Sequence, residues 1–339
     1  MSNLLQIDGS YGEGGGQILR TSLTMSMLTG TPIQISNIRA KRSKPGLKAQ
    51  HLACIHAAQT ISNAEISGAK PNSQQIIFRP NSIKAGDYHF RIGTAGSTTL
   101  LMQTVAPALM TLNKKSTMIF EGGTHTQWAP TYDFIAQAYL PMLRRMGVAI
   151  EVNIERYGFY PQGGGQWSAT IKPSSPIQAL KVLERGELLS QKAVITCCKI
   201  PEHVPKREIL TLLPHTQWSA KDFKRQWVNG LAGGNVISLR LFYENCSEVI
   251  DTLGRKGLAS HIVANNAAKL LRQYLKTDAP IGEYLADQLL LPMAIAKGGV
   301  FRTTTPSQHT FSNRKIIEVF TGQYFKFEKV SNNMWEISL

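Results

Sequence analysis

Glu13 is the single acid in a glycine-rich run, GSYGEGGGQILR, where Gly12, Gly14, Gly15 and Gly16 surround it. Glycine reaches left-handed backbone angles and lets a ligand approach the main chain closely. A helix starting there would offer free N–H groups and the positive end of its dipole to an anion. Gln17 and Arg20 add side-chain donors one turn apart, and Glu13 has the chemistry to hold a metal that accompanies a phosphate. The run is neither GxGxxG nor a Walker loop, so the standard nucleotide fingerprints do not apply. A tight structural turn is the competing reading.

Two further stretches carry reactive side chains. In IGEYLADQLLLPMAIA, Glu283 and Asp287 fall at i and i+4 on one face of an otherwise apolar helix. Such acids are costly to bury without a cation or a ligand. His309 follows in PSQHTFSNRKIIEVF, placed just before a helix that Ser312 or Asn313 would cap. By pattern alone a lone loop histidine reads as a surface residue. RAKRSKPGLKAQH brings Arg39, Lys41, Arg42, Lys44 and Lys48 together, with Gln50 and His51 behind them. No Asp or Glu occurs between Glu13 and Glu65. One-sided charge of this kind suits phosphate contacts better than a solvated face, which normally mixes signs.

The elements that must position these residues form a mixed α/β pattern. A strand at 4–8 leads into the glycine loop, and Ile18, Leu19, Leu23 and Met27 recur at helical spacing. A strand at 32–38 precedes the basic loop, which enters a helix at Gly46 with a core stripe through Leu52, Ile55, Ala58 and Ile61. After short strands at 74–79 and 88–92, GTAGSTTLLMQTVAPAL repeats the order strand, small residues, helix. Gln103 lies inside that helix among apolar neighbours, either as a satisfied core amide or as a ligand contact. A strand at 117–121, a helix at 132–146 and a strand at 149–155 extend the pattern, which reads as internal repetition to about residue 180. RYGFYPQGGGQW, residues 156–167, reads as a structural turn fixed by Pro161. From about 183 to 277 the glycine-rich turns disappear, which points to a second, smaller domain inserted into the first.

At 339 residues, 42% hydrophobic and 17% charged, the chain is globular. Its net charge of +15 calls for a partner of opposite sign, with nucleic acid first. No apolar run is long enough to span a bilayer, and no basic-then-apolar leader stands at the start, so a soluble cytoplasmic protein with no membrane partner is expected. Cys54, Cys197, Cys198 and Cys246 show no zinc or disulfide spacing.

DGSYGEGGGQILR, RAKRSKPGLKAQHL, GFYPQGGG, GEYLADQLLLPMA and the His309 segment, in that order, closely resemble the RNA 3′-terminal phosphate cyclase family. The resemblance implies an α/β (α+β) fold: a large domain of repeated βαβαββ-type units similar to enolpyruvyl transferases, with a smaller inserted α/β domain. The large domain is placed at 1–182 and 278–339, the insert at 183–277. The implied reaction turns an RNA 3′-phosphate into a 2′,3′-cyclic phosphodiester, using ATP and Mg2+ or Mn2+. His309 is then the nucleophile that takes AMP, and Asp287 orients its ring. Gln17, Gln103, Glu283, Tyr284, Leu285, Ala286, Asp287 and Gln288 are implied at the ATP site. Arg20, Arg39, Arg42, Gln50 and His51 are implied on the phosphate or RNA side, and Glu13 at the metal. A homodimer is left open. Competing readings are a catalytically silent RNA-binding relative in ribosome biogenesis and an enolpyruvyl transferase of similar fold.

Overall fold

The computed structural model describes residues 4–173 and 176–339. Positions 1–3, where the range 1–182 begins, and 174–175 within it lie outside the described residues. The fold is mixed α/β, with four four-stranded sheets among the described residues. Three of those sheets share one design. In the first unit, β1 (Leu5–Asp8), α1 (Gln17–Thr29), β2 (Ile33–Ser36), α2 (Ala49–Ser62), β3 (Glu65–Ser67) and β4 (Ile76–Arg79) follow as βαβαββ. Its sheet runs β1-β2-β4-β3, with β1 and β2 parallel and the remaining pairs antiparallel.

The second unit repeats this with β5 (Asp87–Arg91), α3 (Thr98–Met110), β6 (Ser116–Gly122), a composite helix, β7 (Ile150–Arg156) and β8 (Gly165–Ile171). Its order β5-β6-β8-β7 and its pairing senses match the first. The composite helix is α4 (Tyr132–Phe134), a π-helical segment (Ile135–Tyr139) and α5 (Leu140–Arg145), where the sequence suggested one regular helix. Pro141 explains the difference: it has no N–H for the carbonyl of Gln137, and its ring crowds that carbonyl in a regular helix. The widened turn relieves the clash, and the freed Gln137 carbonyl accepts a hydrogen bond from Ser247 Oγ.

The third unit is interrupted. Its first strand, β9 (Leu180–Val182), pairs in parallel with β14 (Gly299–Thr303), far along the chain. Between them come β10 (Leu188–Cys198), α6 (His203–Thr216), β11 (Phe223–Trp227), β12 (Gly234–Tyr243), β13 (Ser247–Leu253) and α7 (Ser260–Leu275). These build a separate sheet, β11-β10-β12-β13, with an apolar core of its own around Ile195, Leu212, Ile237, Leu239, Ala267 and Leu271. The third unit then resumes with α8 (Glu283–Ala296), β14, α9 (Gln308–Thr321), β15 (Lys326–Ser331) and β16 (Met334–Ser338). Its order β9-β14-β16-β15 repeats the design once more. Repetition therefore reaches past residue 180 to the last strand.

The crossover helices pack against one another: α1 on α2, α3 and α9, and α9 on α8. In α1, buried Ile18, Leu19, Leu23 and Met27 face that contact, and the helix stops at Gly30, held at φ 69. Their N-termini gather at one end of the packed helices. Among the described residues no helix is long and apolar enough to cross a membrane, and the four cysteines are free and buried.

Candidate functional site

At that end, four N-termini supply the side chains. Gly16 caps α1 with no side-chain hydrogen bond, leaving first-turn amides without intrahelical partners. A Cβ there would lie 2.5 Å from His51 Nε2 and 2.6 Å from Arg20 Nη1, so a larger residue would displace both side-chain ends. Gly12 and Gly14, both at φ 57, turn the loop so that Glu13 projects toward α9. Arg20 Nη2 donates to Gln17 Oε1 at 2.9 Å, and Gln17 Nε2 donates to Asn313 Oδ1 at 2.8 Å.

The α9 terminus differs from the sequence expectation. Ser307, not Ser312 or Asn313, caps the helix, its hydroxyl accepting from Thr310 N at 3.2 Å. His309 thus sits in the first turn, and its Nε2 lies 3.1 Å from Glu13 Oε2. Glu13 also lies 3.7 Å from Arg42 Nη2. Burial lowers the pKa of His309 below its ordinary value; Glu13 pulls it back up, and Arg20 and Arg42 push it down again. The ring is accordingly neutral near pH 7, the form in which an imidazole is nucleophilic.

The carboxylate on the imidazole is therefore Glu13, whereas Asp287 had been expected to orient it. Asp287 instead offers its backbone carbonyl to Asn313 Nδ2 at 2.9 Å. Its Oδ1 is buried with no hydrogen-bond partner among the described residues. Burial pushes its carboxyl up to about 7, with Arg20 opposing and Glu283 adding to the rise. Asn313, one turn beyond His309, also accepts from Thr21 Oγ1. It is the residue that ties the first unit to the third beneath the histidine, and sequence reasoning had offered it only as a cap. The i, i+4 spacing from His309 was the available signal.

The remaining α8 positions divide. Leu285 and Ala286 are fully buried in the apolar core, so their side chains face away from the cleft. Glu283 and Tyr284 are exposed, and burial raises the carboxyl of Glu283. Gln103 Nε2 donates to Gln288 Oε1, and Gln288 Nε2 donates to the Tyr284 carbonyl at 2.7 Å. Gln103 and Gln288 occupy equivalent positions in α3 and α8, each four residues before a proline. The satisfied-amide reading of Gln103 thus has a named partner.

On the basic side, Lys48 N donates to His51 Nδ1 at 3.1 Å. Burial, then Arg20, Arg39 and Lys48, hold the pKa of His51 down at about 3. A neutral ring accepting at Nδ1 carries its proton on Nε2, aimed at Gly16. Gln50 Oε1 accepts from Ser97 N, the cap of α3, at 3.0 Å. Arg39 serves its own loop, donating to the carbonyls of Lys44 and Gly46 at 2.8 and 2.9 Å. Arg42 is the more exposed cation at Glu13. The basic loop reaches helix only at Ala49, since Gly46, at φ 73, still turns the chain.

Among the described residues no cluster of three or more His, Cys, Asp or Glu could itself hold a metal ion. The donor set, one carboxylate beside an anion-ready helix end, fits a hard cation that takes most ligands from phosphate and water. A cavity of about 590 Å3 opens elsewhere, between α5 and the β12–β13 turn near Arg144, Arg145 and Asn245.

A neutral histidine, a paired carboxylate, arginines and an uncapped helix N-terminus, set on a βαβαββ-repeat scaffold, define a phosphate-handling protein. Comparison with known proteins is more specific. A family model described as RNA 3'-terminal phosphate cyclase matches residues 11–327. The RNA 3'-terminal phosphate cyclase of Koribacter versatilis (strain Ellin345) is 41% identical over 331 residues, covering 97% of this chain and 93% of that protein. Those of Salmonella paratyphi C (strain RKS4594) and Ectopseudomonas mendocina (strain ymp) are 40% and 41% identical. They cover 97% and 94% of this chain, and 95% and 93% of their own lengths. The chain belongs to the RNA 3′-terminal phosphate cyclase family, and it is an enzyme. The enolpyruvyl transferase NikO from Streptomyces tendae aligns at 9% identity and a TM-score of 0.37. That alignment covers 99% of this chain and 48% of that one, so the chain spans about half its length.

Proposed function

We propose that the protein converts the 3′-terminal phosphate of RNA into a 2′,3′-cyclic phosphodiester, with ATP consumed and a histidine–AMP intermediate formed on His309. The observation that carries this reading is the half-exposed, neutral His309 ring, 3.1 Å from Glu13 and beside Arg20 and the glycine loop.

In the first step a ring nitrogen of His309 attacks the α-phosphorus of ATP. A P–N bond forms, the α–β P–O bond breaks, and pyrophosphate leaves. The amides at the α1 N-terminus, Arg20, Arg42 and the Nε2–H of His51 meet the charge of the phosphates. Glu13 accepts the Nε2–H hydrogen bond and fixes the ring plane. Tyr284, Gln103, Gln288 and Gln17 line the nucleotide side in this reading. For Leu285 and Ala286 only backbone remains available. In the second step an oxygen of the RNA 3′-phosphate attacks the bound AMP, the P–N bond breaks, and a phosphoanhydride forms. In the third, the neighbouring 2′-hydroxyl attacks the activated phosphorus and AMP leaves. The hydroxyl is already held beside the phosphorus, so closure benefits from a high effective concentration. Mg2+ or Mn2+, held by Glu13 and the triphosphate, would offset phosphate charge.

The separate sheet and apolar core of the insert support dividing the chain at 182/183 and 277/278. The test of function uses ATP labelled at the α-phosphate. Wild type is expected to carry acid-labile label that His309→Ala loses, and to pass it on when RNA with a 3′-phosphate is added. Folded wild type that takes no label with either metal would instead fit the catalytically silent relative.

A further inference from the structure

The stretch RYGFYPQGGGQW, residues 156–167, does more than turn the chain: it is clamped from three sides. Tyr157 N donates to the Asn229 carbonyl of the insert at 3.0 Å. Thr124 N and His125 N both donate to the Gly158 carbonyl, at 3.0 and 3.1 Å. Phe159 is buried with Cys198 and Ala232 and lies against Gly234, where a Cβ would be 2.6 Å from its ring. Gly163 fits against Thr94 and Ala95, and Gly164 against Leu231, where a Cβ would meet the side chain at 2.3 Å.

Around this hydrogen-bonded frame several large apolar side chains point into water, Trp227 at 50% exposure among them. Trp128 is 96% exposed, Tyr160 77% and Leu231 54%. A soluble protein seldom displays such a group without a partner for it. Trp128 is also held at φ 65, a backbone angle that a tryptophan rarely adopts.

The surroundings specify the partner. Residues 93–98, 122–132, 157–165 and 226–234, which make the clamp, contain no Asp or Glu. Arg156 and Lys199 stand at its edge, donating to the carbonyls of Gly164 and Leu231. The clamp is also continuous with the phosphate site. Gly163 touches Ala95, Gly96 touches Gln50, and Gln50 is followed by His51 at the glycine loop. Exposed rings on segments that carry no acid and lead from a phosphate site suit unpaired bases, because every base has a face to stack and the backbone is anionic.

We propose that Trp128, Tyr160 and Leu231 form a stacking platform for the bases of single-stranded RNA upstream of its 3′ end. The platform deepens the cyclase reading and rests on it for the direction of the strand. The backbone beneath the rings is already hydrogen-bonded, so binding has chiefly side-chain rotamers to order, which favours affinity.

The test compares equilibrium binding of a 3′-phosphorylated oligoribonucleotide of about ten nucleotides with that of a dinucleotide 3′-phosphate. Trp128→Ala and Tyr160→Ala should each weaken the longer RNA about tenfold. They should leave the dinucleotide and AMP labelling from ATP unchanged. Trp128→Phe and Tyr160→Phe, which keep a ring, should retain most of the affinity. Alanine variants that hold the longer RNA as wild type does would overturn the platform, as would wild type that does not bind it. Cyclisation by wild type in that case would leave the reading of function standing. Conversely, ring-dependent RNA binding in a protein that cyclises nothing would keep the platform and remove the cyclase reading.

Discussion

Among the described residues three histidines pair with a carboxylate that also meets an arginine: His89 on Glu121 with Arg91 at a surface strand, and His309 and His125, whose surroundings differ most. His309 Nε2 lies 3.1 Å from Glu13, which lies 3.7 Å from Arg42. His125 Nε2 lies 3.1 Å from Asp133, which lies 3.2 Å from Arg240. The side chains of the first pair are 41% and 36% exposed, those of the second 0% and 10%. His125 is also saturated: Thr124 Oγ1 meets its Nδ1 at 2.8 Å, and Tyr157 and Phe159 pack on its ring. His309 Nδ1 has no hydrogen-bond partner among the described residues. Burial with both nitrogens satisfied makes a strut between the second unit and the insert. Exposure with one nitrogen open, beside the glycine loop and Arg20, is what the proposed nucleophile requires.

The sharpest break of that comparison exchanges the two losses. His309→Ala should cut AMP labelling more than about 1,000-fold while leaving unfolding by denaturant where it was. His125→Ala should keep labelling per folded molecule and lose about 3–5 kcal/mol of stability, because Asp133 and Arg240 stay buried with an incomplete partner set. A folded His125→Ala protein that takes no AMP would erase the distinction.

The aspartates on the two sides should respond to pH with opposite signs. Asp287 is pushed up to about 7 from 3.8 by burial. Between those values the folded state holds a proton that the unfolded chain has lost, so stability falls as pH rises, with the cost complete above about 7. Asp287→Asn should therefore stabilise the protein by about 1–3 kcal/mol at neutral pH and much less near pH 4. Burial raises Asp133 too, but the His125 hydrogen bond and charge, with Arg240, bring it below its ordinary value. Its contribution is present above 3.8 and disappears as pH falls through the lower folded value, so Asp133→Asn should cost most at neutral pH. Denaturant titrations across this range that give both variants the same pH slope would refute the contrast.

Much of the scaffold was legible, since period and punctuation are local. The first two units showed their strands, glycine turns and helices, and the change of texture near 183 falls just after β9, where the chain leaves the third sheet. The third unit was not legible as a repeat, because β9 is three residues long and its partner β14 lies beyond the insert. Site residues were legible as types and as matches to a family, but their pairings were not. Which carboxylate meets His309 depends on how α1 packs on α9, and no window of sequence contains that contact. The same limit hid the role of Asn313, whose partner Gln17 is 296 positions away. It also hid that the packing of α8 turns the side chains of Leu285 and Ala286 inward, which leaves only their backbone toward the cleft.

The smallest expected effect separates two arginines of one loop. Arg42 reaches Glu13 with an exposed guanidinium, while Arg39 Nη1 is committed to the Lys44 and Gly46 carbonyls. If both neutralised RNA phosphates, removing either would lower the salt dependence of binding equally. Of the two, only Arg42 has a guanidinium free of its own loop's carbonyls, so Arg42→Ala should reduce the slope of log affinity against log salt by about 1. Arg39→Ala should leave the slope alone and lose about 0.5–1.5 kcal/mol of stability with its loop hydrogen bonds. Burial and Arg42 also lower the pKa of Arg39, so the loop holds a guanidinium under mild electrostatic stress. Equal slopes in the two variants would mean that Arg39 leaves its carbonyls to meet the strand, and that the loop rearranges when RNA binds.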